Sequence, residues 1–168
     1  RHNLPGGVAT SFIRDGVEYE ATLHELFNCG DDYRTINLNK YFKDINEPIN
    51  FIPLDESYHF IDKDHDFVMP YGFENAARAI EKIYPGNYDK LMKYFELTER
   101  VNLSLTKLQN EKINPKELFT LHKDTFLTAR KTVKDVLDHF GFSKEVQEII
   151  GIYWQYLGTP PEILPFTV

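Results

Sequence analysis

The densest group of side chains able to do chemistry is Asp62-Lys63-Asp64-His65-Asp66, where acids at alternate positions resemble the start of a calcium loop. Such a loop needs Gly at its sixth position for a sharp turn and a bidentate Glu at its twelfth. Those positions are Phe67 and Phe73, so the stretch reads as the polar turn of a hairpin. A second combination is His24 with Cys29, since a neighbouring imidazole lowers a thiol pKa and arms a nucleophile. No third, orienting group accompanies the pair, and Cys29 reads as a buried or incidental thiol. His2, His59, His122 and His139 lack the metal-ligand pattern of two histidines four apart on a helix beside a Glu, and read as structural or exposed.

Two further features are glycine and aromatic in kind. Gly6-Gly7 alone is not a dinucleotide-binding turn, which needs Gly-x-Gly-x-x-Gly between a strand and a helix. Tyr153, Trp154 and Tyr156 cluster near the end of the chain, and Tyr94 and Phe95 lie together further upstream. Aromatic side chains build core first and line channels for apolar ligands second.

The elements that must position these groups change character along the chain. Ser11-Phe12-Ile13-Arg14 and Val17-Glu18-Tyr19-Glu20 flank Asp15-Gly16, which predicts a two-residue hairpin because Gly accepts positive φ. From Leu23 to Asn46 the pattern is mixed, and Pro48 and Pro53 exclude a long helix after it. A second hairpin is predicted from Ser57–Ile61 through Asp62–Asp66 into Phe67–Met69, with both hairpins in one sheet. Beyond Gly72 the period becomes helical: Phe73, Ala76, Ala77, Ile80, Ile83 and Tyr84 share a face that ends at Pro85-Gly86.

Asn87 is the expected cap of a long helix with a stripe of Leu91, Tyr94, Phe95, Thr98, Val101, Leu105 and Leu108. After Asn114-Pro115, the residues Phe126, Ala129, Val133, Leu137 and Phe140 trace another face ending at Gly141. Ser143 is expected to cap a last helix that turns Val146, Ile149, Ile150, Tyr153, Trp154 and Leu157 inward and closes at Gly158. Thr159-Pro160-Pro161-Glu162 has the spacing of a capping box. Strands early and helices late define an α+β class: a small antiparallel or mixed sheet from N-terminal hairpins under a helical C-terminal layer.

Composition bounds the partners. With 42% apolar and 14% aromatic residues among 168, the chain has the material for a core and is not a disordered tail. A net charge of -7 opposes a non-specific grip on phosphate backbones, so nucleic acid is excluded as a partner. Arg130, Lys131 and Lys134 read as a solvated helix face. The single cysteine fits a reducing compartment, which favours the cytoplasm. No stretch approaches the roughly 18 apolar residues of a membrane span, which leaves peripheral membrane contact open.

The opening Arg1-His2-Asn3-Leu4-Pro5-Gly6-Gly7-Val8-Ala9-Thr10-Ser11-Phe12 and the closing Tyr153-Trp154-Gln155-Tyr156-Leu157-Gly158-Thr159-Pro160-Pro161 together resemble the phytoene desaturase and retinol saturase group of FAD-dependent oxidoreductases. The resemblance implies that 1–7 is the tail end of an FAD-binding domain, followed by a substrate domain that is strand-rich over 8–70 and helical over 71–168. It implies Gly6, Gly7 and His24 near the cofactor and Tyr153, Trp154 and Tyr156 near an apolar polyene or isoprenoid substrate. It also places the glycine-rich flavin turn upstream of Arg1 and a second flavin-contacting segment beyond Val168. The segment alone is therefore expected to be inactive and to hold no flavin tightly. Two departures stand out: Val8 occupies a position where the group often has Arg, and Thr22 stands for the Gly of an acid-x-Gly-x-His run.

Two other readings compete. One is a stand-alone module binding a lipid or a protein in a helical groove. The other is a flavin enzyme of the amine oxidase type, for which an aromatic cage around a cation is expected.

Overall fold

The computed structural model describes residues 10–20, 26, 29, 38–63, 65–112, 114–152 and 154–167, and the chain divides after Pro53 into two compact units. The class is α+β, with helices following strands. No helix among the described residues is long and apolar enough to cross a membrane.

The first unit contains the predicted hairpin, β1 (Ser11–Arg14) against β2 (Val17–Glu20), and the helix α1 (Leu38–Asp44). Asp15 and Gly16 take φ of 53° and 79°, the pair of positive values that a tight turn matched to strand twist requires. Pairing is antiparallel and opposes Phe12 to Tyr19, whose rings stack at 5.4 Å.

The second unit opens with β3 (Glu56–Ile61) and β4 (Asp66–Pro70), again an antiparallel hairpin at the predicted place. Its register opposes Tyr58 to Met69 and Phe60 to Phe67, which puts those four on one face. Phe60 and Met69 are buried there, while Ile61 points outward and is 67% exposed. Instead of one shared sheet, the two hairpins form two separate two-stranded sheets. The inward face of β3–β4 is covered by helices, so it buries its apolar side chains without recruiting a further strand.

Those helices are α2 (Phe73–Ile83), α3 (Tyr88–Asn110), α4 (Lys123–Thr128), α5 (Val133–His139), α6 (Lys144–Ile150) and the single turn α7 (Trp154–Leu157), with a 3₁₀ turn at Pro115–Glu117. The core joins Phe60 and Met69 to Ala77 and Ile80 of α2, Leu91 of α3, Leu137 of α5, and Phe142, Val146 and Ile149 around α6. Tyr94 sits among Phe140, Phe142 and Phe166 with ring centroids 5.7, 5.9 and 6.3 Å away. Burial pushes its phenol up to about 12.

Four helical expectations are corrected. The face expected to run from Phe126 to Phe140 as one helix is broken between α4 and α5, and Phe126 is 55% exposed. Thr132 is extended there and starts a new helix with its own side chain, which a continuous helix would forbid. Asn114 caps only the 3₁₀ turn, accepting from the Lys116 N–H at 3.1 Å. The last helix stops at Ile150 rather than Gly158, with Leu157 54% exposed. The capping-box spacing at Thr159 starts a turn rather than a helix, with the Ile163 and Leu164 amides donating to the Pro160 carbonyl.

The cap of α3 is also not the expected one. Asn87 makes no side-chain cap; its amide instead donates to the Tyr84 carbonyl at 2.7 Å. The orphan donors at this helix start converge on the Glu81 carboxylate, which accepts from the Gly86, Asn87 and Tyr88 N–H groups at 2.8, 2.7 and 2.7 Å. The Gly86 and Tyr88 bonds hold the Glu81 carboxyl below its ordinary range. A depressed folded value means that the stabilising contribution is present above the unfolded Glu pKa of roughly 4.3 and disappears as pH falls through the lower folded value. Glu81→Gln is thus expected to be less stable than the wild type at neutral pH, with the gap closing in acid. Urea unfolding of both proteins across that range checks it, and a gap independent of pH contradicts it.

Candidate functional site

The second unit carries a cleft of about 720 Å³, within the span typical of small-molecule sites. Its apolar surface comes from Phe60 and Ile61 of β3, Leu137 of α5, Ile152, Pro160 and Pro161. Charged side chains ring it: Asp62, Lys134, Lys144, Glu148 and Glu162. Both cations are already engaged, Lys134 with Asp138 at 2.6 Å and Lys144 with Glu148 at 3.4 Å. Gln147 braces the same edge, donating to Asp138 and to the Phe142 carbonyl at 2.9 Å each. The arrangement suits an apolar body inside and water at the mouth.

Its walls are set by helix ends. The first-turn amides of α5 have no partner within the helix. Val133 donates to the Leu164 carbonyl at 2.8 Å and Lys134 to the Pro161 carbonyl at 2.9 Å, while Phe166 donates back to the Lys131 carbonyl at 2.9 Å. Thr132 and Asp135 complete a capping box, the Asp135 N–H donating to Thr132 Oγ1 at 3.1 Å and the Thr132 N–H to Asp135 Oδ2 at 2.9 Å. The Thr132 N–H first, and the Thr132 hydroxyl after it, hold the Asp135 carboxyl below its usual range. On the opposite wall Gly151 packs so closely that a Cβ would lie 2.8 Å from the Gln147 carbonyl oxygen and 3.8 Å from the Pro161 ring. It is the last turn of α6 itself, through the Gln147 carbonyl, that leaves no room for a side chain at Gly151, while Pro161 sits at ordinary contact distance.

Two histidine networks lie apart from the cleft, except that the first shares Asp62 with its lining. His65 Nδ1 meets the Asp62 carboxylate at 2.9 Å, and Nε2 meets the Tyr84 hydroxyl. A carboxylate only accepts, so Nδ1 carries a proton. Together with the His65 N–H donating to Asp62 Oδ1 at 2.7 Å, this fixes the hairpin turn against the end of α2. The other network is buried: Thr125 Oγ1 donates to Ser104 Oγ at 2.6 Å, and Ser104 Oγ lies 2.8 Å from His122 Nδ1. A hydroxyl beside an imidazole has the chemistry of an activated nucleophile. Ser104 and His122 are 0% and 1% exposed, however, so the network joins α3 to α4 and offers no surface to a substrate.

The site residues named from sequence fare unevenly. Gly6, Gly7, His24 and Tyr153 lie outside the described residues. Trp154 opens α7, with its side chain outside the described set, and Tyr156 in the same turn is 71% exposed and not part of the cleft lining. Cys29 is half-buried, and its thiol lies 3.6 Å from the Leu26 carbonyl. The hairpin turn falls inside the stretch read as its turn, between Ile61 and Asp66, which pair as strand residues. Pro160 and Pro161, quoted only as part of the closing element, do line the cleft. Lys134, Leu137, Gln147 and Gly151 were missed, because no local spacing links α5 and α6 to that element.

Comparison with family models, with curated proteins and with solved structures returns no match.

The cap at Thr132 yields a direct expectation. Thr132→Ala removes the side-chain acceptor of the capping box and should lower unfolding stability by about 1 kcal/mol. Chemical denaturation checks this; unchanged stability contradicts the role assigned to the box.

Proposed function

We propose that the chain is the substrate-side domain of an FAD-dependent oxidoreductase of the kind represented by phytoene desaturases and retinol saturases. The observation that carries the reading is the position of Pro160 and Pro161. They belong to the closing element on which the resemblance rests, and they form a wall of the apolar cleft. The flavin would supply hydride transfer to or from a carbon of the substrate. The task left to this chain is to take a polyene or isoprenoid out of water against Phe60, Leu137 and Ile152. Its cofactor-side residues, by the same resemblance, are Gly6, Gly7 and His24. No geometry for the flavin follows from the described residues.

The test is the visible spectrum of the protein expressed from its complete reading frame. Flavin bands that bleach with dithionite are the expected result. A folded protein that stays colourless after incubation with FAD contradicts the reading. If that colourless protein still bound retinol, and Pro161→Trp weakened the binding, the cleft would belong to a lipid-binding module instead.

A further inference from the structure

Residues 118–130 run as one series of helical turns around α4, and their polarity is inverted. The face toward α3 is polar: His122, Thr125 and Thr128 are 1%, 6% and 8% exposed. The face toward solvent carries Phe119, Phe126 and Leu127 at 85%, 55% and 64% exposure. A segment shaped only by burial would rotate to bring the phenylalanines in. The hydrogen bonds that cross to α3 prevent that: Thr125 Oγ1 donates to Ser104 Oγ at 2.6 Å, and Ser104 Oγ lies 2.8 Å from His122 Nδ1. Rotation would leave the buried Ser104 hydroxyl on α3 without a partner.

Charge on the outer face is just as uneven. Residues 116–131 include two carboxylates, and both turn toward α3: Asp124 meets Arg100 at 2.6 Å and Glu117 meets Lys107 at 3.0 Å. Lys116, Lys123, Arg130 and Lys131 are exposed beside the apolar side chains. A cationic apolar patch on a chain of net charge -7 is a local reversal of sign.

We infer that this face docks on an anionic membrane surface, with Phe119, Phe126 and Leu127 entering the headgroup boundary and the four cations meeting lipid phosphates and carboxylates. Amphipathic segments that lie on bilayers combine these features. The area favours lipid over protein: three such side chains offer at most roughly 600 Å², short of the roughly 800 Å² per partner of a standard protein interface. The inference is independent of the flavin reading, because nothing in it involves the cleft.

Co-sedimentation of the intact protein with vesicles tests it, comparing phosphatidylcholine alone with phosphatidylcholine containing about 30% phosphatidylserine. Two double variants accompany the wild type, Phe119→Ser with Phe126→Ser, and Lys123→Glu with Arg130→Glu. All four positions are exposed, so circular dichroism and the unfolding midpoint should match the wild type. Binding to the anionic vesicles should exceed binding to neutral ones by about tenfold or more, fall with added salt, and drop by a similar factor in each variant. Wild type that ignores anionic vesicles overturns the inference, as do variants that bind like wild type. A wild-type dimer that the same substitutions dissociate also overturns it, and assigns the face to a second copy of the chain.

Discussion

The first-turn N–H groups of a helix must find acceptors outside it, and in α5 that requirement organises the region that could hold a ligand. Val133 and Lys134 take their acceptors from Leu164 and Pro161, so the closing segment is fastened across the start of α5 rather than continuing as a helix of its own. Pro160 and Pro161 lack an N–H and have fixed φ, which makes the segment a rigid wall, and the Pro161 carbonyl accepts from Lys134. The cleft is what remains between that wall, the end of β3 and the face of α6. Without those two backbone bonds its apolar surface would have no second side.

The same accounting of donors and acceptors explains why the helical layer turns unexpected faces inward. Around α4, the side chains that bury are hydroxyls and an imidazole, because they complete one another across α3. Around the start of α3, Glu81 gathers three amides at once, and the neighbouring Asn is freed to bond elsewhere. In both places hydrogen-bond satisfaction overrides the simple rule that apolar residues face in. The apolar core proper lies where β3–β4, α2, α3, α5 and α6 meet, and there the rule holds.

That contrast marks what the sequence makes legible. Both hairpins, α2 and α3 could be read because their signals are local: Asp15-Gly16 between alternating strands, a polar run at Asp62–Asp66, and apolar periods ending at Pro85-Gly86. The breaks after α4 and α6 could not, since Ala129 and Tyr153 continue the apolar period in sequence while Thr132 and Gly151 act through capping and close packing. Counting Phe126 as an inward residue failed for the same reason: a period scored on apolar residues has no term for a polar network such as Ser104–His122–Thr125. Of the cleft, only the proline pair stood out in sequence. Lys134, Leu137 and Gln147 join it through contacts distant along the chain, which spacing does not encode.

The central claim is that the cleft under Pro160 and Pro161 receives an apolar chain. A photoreactive polyene, cross-linked to the intact protein and mapped by mass spectrometry, tests it most directly. The account predicts labelling at Leu137, Ile152 and the Pro160–Glu162 turn, competed away by unlabelled polyene. Competable labelling elsewhere, with none at those residues, would contradict it.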